Sequence, residues 1–232
     1  HQNIVELIEH GNANGTFFCV LEFVDGMDLE KFLQKHRGKV PLADAPPLFL
    51  GILDGLGHAH RAKLRVGVSG GKKSWFQGIV HRDLKPQNIL LARSGTAWIP
   101  KVADFGLSKS FESAGLTDMT APGQVAGTPI YWPREQITHY RYLDPATDVF
   151  SIAAVFYQAL TGAWVREGFR ELFARCQRAG RAPGIADYMR TIAANPPIPI
   201  RKRDHRIPPA VAEVLDRALR EAEVPPDESQ MR

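Results

Sequence analysis

The sequence predicts an α+β protein on three observations. Two short extended runs open the chain around a hairpin signal, a second pair of short strands lies near its middle, and helical apolar spacing dominates most of what remains. Residues 4–8, IVELI, and 16–23, TFFCVLEF, read as the first two strands. Asn14-Gly15 between them suits a tight turn, because both residues tolerate positive φ. MDLEKFLQKHRG (27–38) reads as a short amphipathic helix with Leu29, Phe32 and Leu33 on one face and Gly38 as its stop. PPLFLGILDGLGHAH (46–60) reads as a longer helix whose leading prolines fit a first turn.

RAKLRVGVSGGKKSWFQ (61–77) has five basic residues, no acid and a Gly-Gly centre, and is expected to be a loop. Its GVSGGKKS does not meet the spacing of a phosphate-binding G-x-x-x-x-G-K-[ST] loop. NILLA (88–92) and WIPKVAD (98–104) are expected as strands flanking a turn at Ser94-Gly95, followed by a long loop over about 105–130. Helices are expected over 147–161 and near 167–178, 184–194 and 208–222, with proline-rich connections. DVFSIAAVFYQALTG (148–162) is apolar almost all round, which marks a helix buried in the core.

At 232 residues and 44% hydrophobic content the chain can bury a sizeable core. A net charge of +4 is too small to indicate nucleic-acid binding. Cys19 and Cys176 stand far apart with no C-x-x-C pattern, which argues against a disulfide framework or cysteine zinc site and favours a reducing, cytoplasmic setting. The longest apolar stretch, 149–165, is interrupted by Ser151, Gln158 and Thr161 and is too short to span a bilayer. No signal peptide is visible. The chain opens on His1 rather than Met and reads as a fragment, so a membrane anchor outside it stays open.

The chemistry concentrates in IVHRDLKPQNILL (79–91) and in Asp104-Phe105-Gly106. Phosphoryl transfer from a nucleotide needs a carboxylate to orient the attacking hydroxyl and accept its proton, and Asp83 suits that task. It needs a cation against the moving phosphoryl group, and Lys85 is placed for it. It needs oxygen ligands for Mg²⁺, and the Asn88 amide and Asp104 carboxylate supply them. Positioning and electrostatics then carry the reaction.

HRDLKPQN, DFG and GTPIYWPRE, in that order, resemble the serine/threonine branch of the protein kinase superfamily across essentially the whole chain. The resemblance implies a partial kinase domain over 1–232: residues 1–21 as a two-strand remnant of the small lobe, 22–28 as hinge, and 29–232 as the helical large lobe. It implies Asp83 as base, Lys85 as phosphate contact, Thr128 as the threonine that bonds both, and Asn88 and Asp104 as magnesium ligands. It also implies Leu21 as gatekeeper, the Glu22 carbonyl and Val24 amide on the adenine edge, Leu90 beneath the ring and Asp28 toward the ribose. His81 and Phe105 would stack with Leu7. Asp148 would either hold the catalytic loop through backbone N–H groups or simply cap its helix.

The implied reaction takes ATP and Mg²⁺ and phosphorylates Ser or Thr of protein substrates, with no nucleic acid involved. A non-catalytic scaffold and a small-molecule phosphotransferase are the alternatives. Retention of Asp83, Asn88 and Asp104 argues against the first, and Lys85 with GTPIY against the second. Arg82 would pair with a phosphate on Thr117 or Thr120, with Ser110 and Ser113 as further candidates. The family's APE reads Pro133-Arg134-Glu135 here, with Arg232 as the expected partner of Glu135. No G-x-G-x-x-G occurs, so the glycine loop and ATP-anchoring lysine are expected upstream of His1, and residues 1–232 alone are expected to have little activity.

Overall fold

The computed structural model describes residues 1–14, 16–67, 73–105, 128–138 and 144–221. Gly106, the four candidate phosphosites and Arg232 lie outside them. Seven strands are described: β1 (Leu7–Ala13), β2 (Thr16–Leu21), β3 (Gly26–Asp28), β4 (Lys63–Gly67), β5 (Lys73–Gln77), β6 (Ile89–Ser94) and β7 (Ala97–Val102). The helices are α1 (Leu29–Lys35), α2 (Ala45–Arg61), α3 (Arg134–Thr138), α4 (Pro145–Thr161), α5 (Phe169–Arg178), α6 (Ile185–Ala194) and α7 (Pro209–Ala218).

The helix α4 is the centre of the core because no face of it suits water. Asp144 caps it by accepting from the Ala146 N–H at 2.8 Å, Pro145 opens its first turn, and Gly162 ends it at φ 72°, a left-handed conformation that costs glycine little. Val155, Tyr157 and Ala159 are fully enclosed. Phe156 stacks on Phe49 of α2 with ring centroids 3.8 Å apart, Gln158 Oε1 accepts from the Tyr131 hydroxyl at 2.6 Å, and the Ala159 carbonyl accepts from Val40 N–H at 2.7 Å. A ring stack, a side-chain hydrogen bond and a backbone hydrogen bond thus fix three separate stretches of chain against one helix.

The strands form three small antiparallel sheets: β1-β2, β3-β6-β7 and β4-β5. The first ladder starts later than expected, at Leu7, because Asn3–Val5 pair elsewhere. The Val5 N–H donates to the Val102 carbonyl and the Val102 N–H to the Asn3 carbonyl, each at 2.9 Å. Asn3 Nδ2 adds a bond to the Pro100 carbonyl at 2.7 Å. Asn14 turns the hairpin at φ 53°. Gly55 of α2 makes this seating possible, since a Cβ there would lie 2.5 Å from the Asn3 carbonyl oxygen.

Residues 63–67 and 73–77, expected within a loop, are strands that pair antiparallel. Lys63 pairs with Gln77, Arg65 with Trp75 and Gly67 with Lys73. The alternation of basic and apolar residues over 63–66 is a strand signal that the density of positive charge obscures. The paired strands leave the end of α2 and return through Gly78 N–H to the Ala62 carbonyl (2.8 Å) and Ile79 N–H to the Ala59 carbonyl (2.9 Å). Among the described residues no helix is long and apolar enough to cross a membrane.

Candidate active site

Three elements converge on the loop 80–88. The turn Pro86–Asn88 runs into β6, and β7 returns antiparallel to it with Ile89 opposite Val102. The ladder continues one step further, where Ala103 N–H donates to the Asn88 carbonyl at 2.9 Å. Asn88 and Asp104 are therefore carried on adjacent strand ends, although many residues separate them in sequence. Asp104 is exposed at φ 59°, a left-handed backbone that an aspartate tolerates better than most residues.

Asp83 is positioned by its neighbours in the loop. Lys85 Nζ lies 2.8 Å from Asp83 Oδ2. Asn88 Nδ2 donates to the Asp83 backbone carbonyl at 2.8 Å and lies 3.4 Å from Oδ2. The other carboxylate oxygen, Oδ1, is buried with no hydrogen-bond partner. A carboxylate oxygen held without a donor can accept one, and a substrate hydroxyl would satisfy it. With its nitrogen committed to Asp83, the amide of Asn88 has its oxygen left for a cation.

The loop itself hangs from Asp148 of α4. Asp148 Oδ2 accepts from His81 N–H at 2.7 Å and Oδ1 from Arg82 N–H at 2.9 Å, while His60 Nε2 of α2 lies 2.7 Å from Oδ2. Asp144 takes the cap, so Asp148 is an anchor for the loop and not a helix cap. Gln136 of α3 holds the other side, donating to the Arg82 carbonyl at 2.7 Å, and Arg82 adopts φ 70°. His81 is enclosed. Its Nε2 lies 2.7 Å from the Ala103 carbonyl and therefore carries the proton, which leaves Nδ1 to accept from Asp83 N–H at 3.3 Å. Burial lowers the His81 pKa, with the Asp148 charge opposing, and the ring is neutral. Phe105 packs against it at 4.8 Å between ring centroids.

Leu7, Leu21, Ile79, Asp104 and Phe105 line a mainly apolar cavity of about 410 Å³. This brings the expected gatekeeper Leu21 to the same cavity as Asp104, and Leu7 to that of Phe105. Leu90 lies between Asp28 on β3 and Lys101 on β7 in the sheet register. Val24 is half-buried on the connection between β2 and β3. Two residues of the expected hinge have structural duties. Glu22 Oε1 accepts from Lys101 Nζ at 2.7 Å and from Glu6 N–H at 2.9 Å, and the Lys101 bond is the main reason its pKa is lowered. Asp28 caps α1 through Lys31 N–H at 2.8 Å, so its carboxylate is already engaged where the ribose contact was expected. Thr128 precedes the turn Pro129–Tyr131. Among the described hydrogen bonds none joins its hydroxyl to Asp83 or Lys85.

Glu135 makes no ion pair among the described residues, and burial raises its pKa. The charge pairing beside it belongs to Glu221, which binds both Arg134 and the enclosed Arg166. His60, Lys101, Gln136 and Glu221 have no local motif to announce them. Their partners lie far away in sequence, so only the fold reveals these contacts.

Among the described residues no three His, Cys, Asp or Glu side chains converge as a metal site. The Asn88 amide and the Asp104 carboxylate are two hard oxygen donors at neighbouring strand ends. Such a set suits a cation that completes its shell with phosphate and water oxygens. The class that this arrangement defines is confirmed by comparison: residues 1–172 match the protein kinase domain family, and the chain belongs to it. It is 34% identical to the serine/threonine-protein kinase ATG1b of Arabidopsis thaliana over 162 residues, which are 70% of this chain and 20% of that protein. Identity to the serine/threonine-protein kinase pkn3 of Myxococcus xanthus is 31% over 230 residues, or 94% of this chain and 35% of that protein. With the serine/threonine-protein kinase PknL of Mycobacterium tuberculosis it is 33% over 159 residues, 68% of this chain and 34% of that protein. The chain thus spans about a fifth to a third of the length of these relatives.

Proposed function

We propose that the protein, in its full-length form, transfers the γ-phosphoryl group of ATP to Ser or Thr hydroxyls of proteins. Asp83 orients and deprotonates the attacking hydroxyl, and Lys85 offsets charge on the phosphoryl group as it moves. Asn88 and Asp104 hold Mg²⁺, which neutralises the triphosphate and aligns it. Leu21, Glu22, Val24 and Leu90 frame the adenine, and Thr128 approaches Asp83 and Lys85 when substrate is in place. Two free cysteines accord with a reducing, cytoplasmic setting.

The observation that carries this reading is the state of Asp83: one oxygen is tied to Lys85, the other is buried and unpartnered, and the backbone is clamped by Asn88. A structural carboxylate would have both oxygens satisfied. The test compares the full-length protein with its Asp83→Asn variant in ATP, Mg²⁺ and a Ser/Thr-containing peptide. Loss of a general base lowers transfer by roughly 10²–10⁴-fold, while ATP·Mg²⁺ still raises the melting temperature of the variant. Equal transfer by the two proteins would overturn the assignment.

A further inference from the structure

Away from the loop 80–88, three arginines meet on one carboxylate. Asp187 of α6 is almost wholly enclosed, and it takes Arg181 from the preceding turn at 2.6 and 3.2 Å, Arg190 of α6 at 2.8 Å and Arg175 of α5 at 3.4 Å. Asp187 also accepts from Gly184 N–H at 3.0 Å. Arg181 and the Gly184 N–H hold its pKa far below the usual carboxylate range, so it is ionised. Arg181 alone, with a further bond to the Ala182 carbonyl at 3.0 Å, suffices to fasten the turn. Arg175 and Arg190 each spend a single nitrogen on Asp187, and their side chains are 58% and 71% exposed. Exposed ion pairs of this kind contribute little to stability, and three cations around one anion repel each other.

The geometry of the two spare guanidinium groups is specific. Their Nη2 atoms both approach Asp187 Oδ1, so they are separated by no more than the sum of 3.4 and 2.8 Å. A single tetrahedral phosphate spans such a gap. The charge also matches: three arginines less Asp187 leave two positive charges, and a phosphate monoester carries about −1.5 to −2 near pH 7. Residues 169–195 hold five arginines against Glu171 and Asp187 alone, and Glu171 makes no ion pair among the described residues. A carboxylate ligand would leave one positive charge uncompensated.

We propose that Arg175 and Arg190, braced by Asp187 and Arg181, form a clamp that docks a phosphorylated segment of a protein partner. The clamp is independent of phosphoryl transfer by Asp83, and its test is a binding measurement. The probe is a fluorescent neutral peptide carrying one phosphoserine, titrated against the full chain by anisotropy and compared with its unphosphorylated twin and with inorganic phosphate. The phosphopeptide is expected to bind about tenfold or more tightly than its twin and to compete better than inorganic phosphate, with affinity falling as salt rises. Arg175→Gln combined with Arg190→Gln is expected to abolish that preference without lowering the melting temperature. Arg175→Lys with Arg190→Lys keeps the charge but loses the planar fork, and is expected to weaken binding about threefold or more. Equal binding of the twin peptides would overturn the proposal. So would competition by inorganic phosphate as strong as by the peptide, or full affinity in the lysine variant.

Discussion

The imidazole of His60 lies 2.7 Å from the carboxylate of Asp148, joining the last turns of α2 to the first turn of α4 at the point where the loop 80–88 is hung. Asp148 is enclosed, and two backbone N–H groups as well as His60 depend on it. Its removal therefore strands the enclosed His81 N–H and weakens the support of Arg82 and His60.

Asp148→Asn turns an N–H group toward groups that are themselves donors. Each unsatisfied buried donor costs about 1–3 kcal/mol, so the variant is expected to lose roughly 2–4 kcal/mol in urea unfolding. Phosphoryl transfer by the full-length protein is expected to fall with it, because His81 and Arg82 no longer hold Asp83 in place. His60→Ala leaves both backbone bonds to Asp148 intact and is expected to cost only about 1 kcal/mol. Equal losses in the two variants would show that the anchor is the histidine rather than the pair of backbone bonds.

His81 gives the fold a pH dependence with a definite sign. Its pKa is lowered in the folded state by burial, whereas the unfolded chain titrates near the ordinary value of about 6.5. The unfolded state therefore binds more protons between those two values. The contribution is complete above about pH 6.5 and is lost as pH falls from there toward the depressed folded value. Protonation would also place a second N–H on Nδ1, facing the Asp83 N–H. Melting curves of wild type and His81→Gln between pH 7.5 and 5 are expected to show the steeper acid loss in wild type. Parallel curves would exclude His81 as the source.

How much of this was legible in the sequence follows from the range of each interaction. Asp83, Lys85 and Asn88 are neighbours along the chain, so their spacing could be read directly, and in the structure Lys85 and Asn88 both bond Asp83. The buried helix α4 was legible for a similar reason, since its apolar residues leave no polar face. The paired strands 63–67 and 73–77 were not, because a dense run of positive charge looks like a solvated loop when no cross-strand partner is known. The capping of α1 by Asp28 lies only three residues away and is a local pattern that the sequence reading passed over. Glu221 with Arg166 could not be read at all: neither has a local pattern, and their meeting requires the whole helical body between them to fold.

Gly55 tests the seating of the N-terminal segment. Alanine there would raise helix propensity by about 1 kcal/mol, but its methyl carbon would stand 2.5 Å from the Asn3 carbonyl oxygen. Backbone has to move to relieve such an overlap, at a cost of about 1–3 kcal/mol. Steric cost is expected to win, so Gly55→Ala should lower the melting temperature. Gly57→Ala is the control. Its nearest neighbour is the far end of the Arg61 side chain at 3.1 Å, which can swing aside. That variant is expected to be neutral or slightly stabilising.

Arg166 is an enclosed cation in the helical body. Its side chain is completely enclosed, bonded to both oxygens of Glu221 and to the Asn195 carbonyl at 3.0 Å, with its guanidinium 5.4 Å from the Phe150 ring centroid. Burial lowers the Arg166 pKa, and Glu221 is the main group opposing the shift, with a smaller contribution from the Glu135 charge. Removing the carboxylate charge leaves a buried cation without its bonded partner, which costs about 3–5 kcal/mol. Glu221→Gln is expected to show a loss of that order in equilibrium unfolding. Replacing Arg166 by Met in the Glu221→Gln background removes the stranded charge and is expected to recover part of the loss. Additive losses in the double variant would mean that the two side chains stabilise the body independently, with no coupling between them.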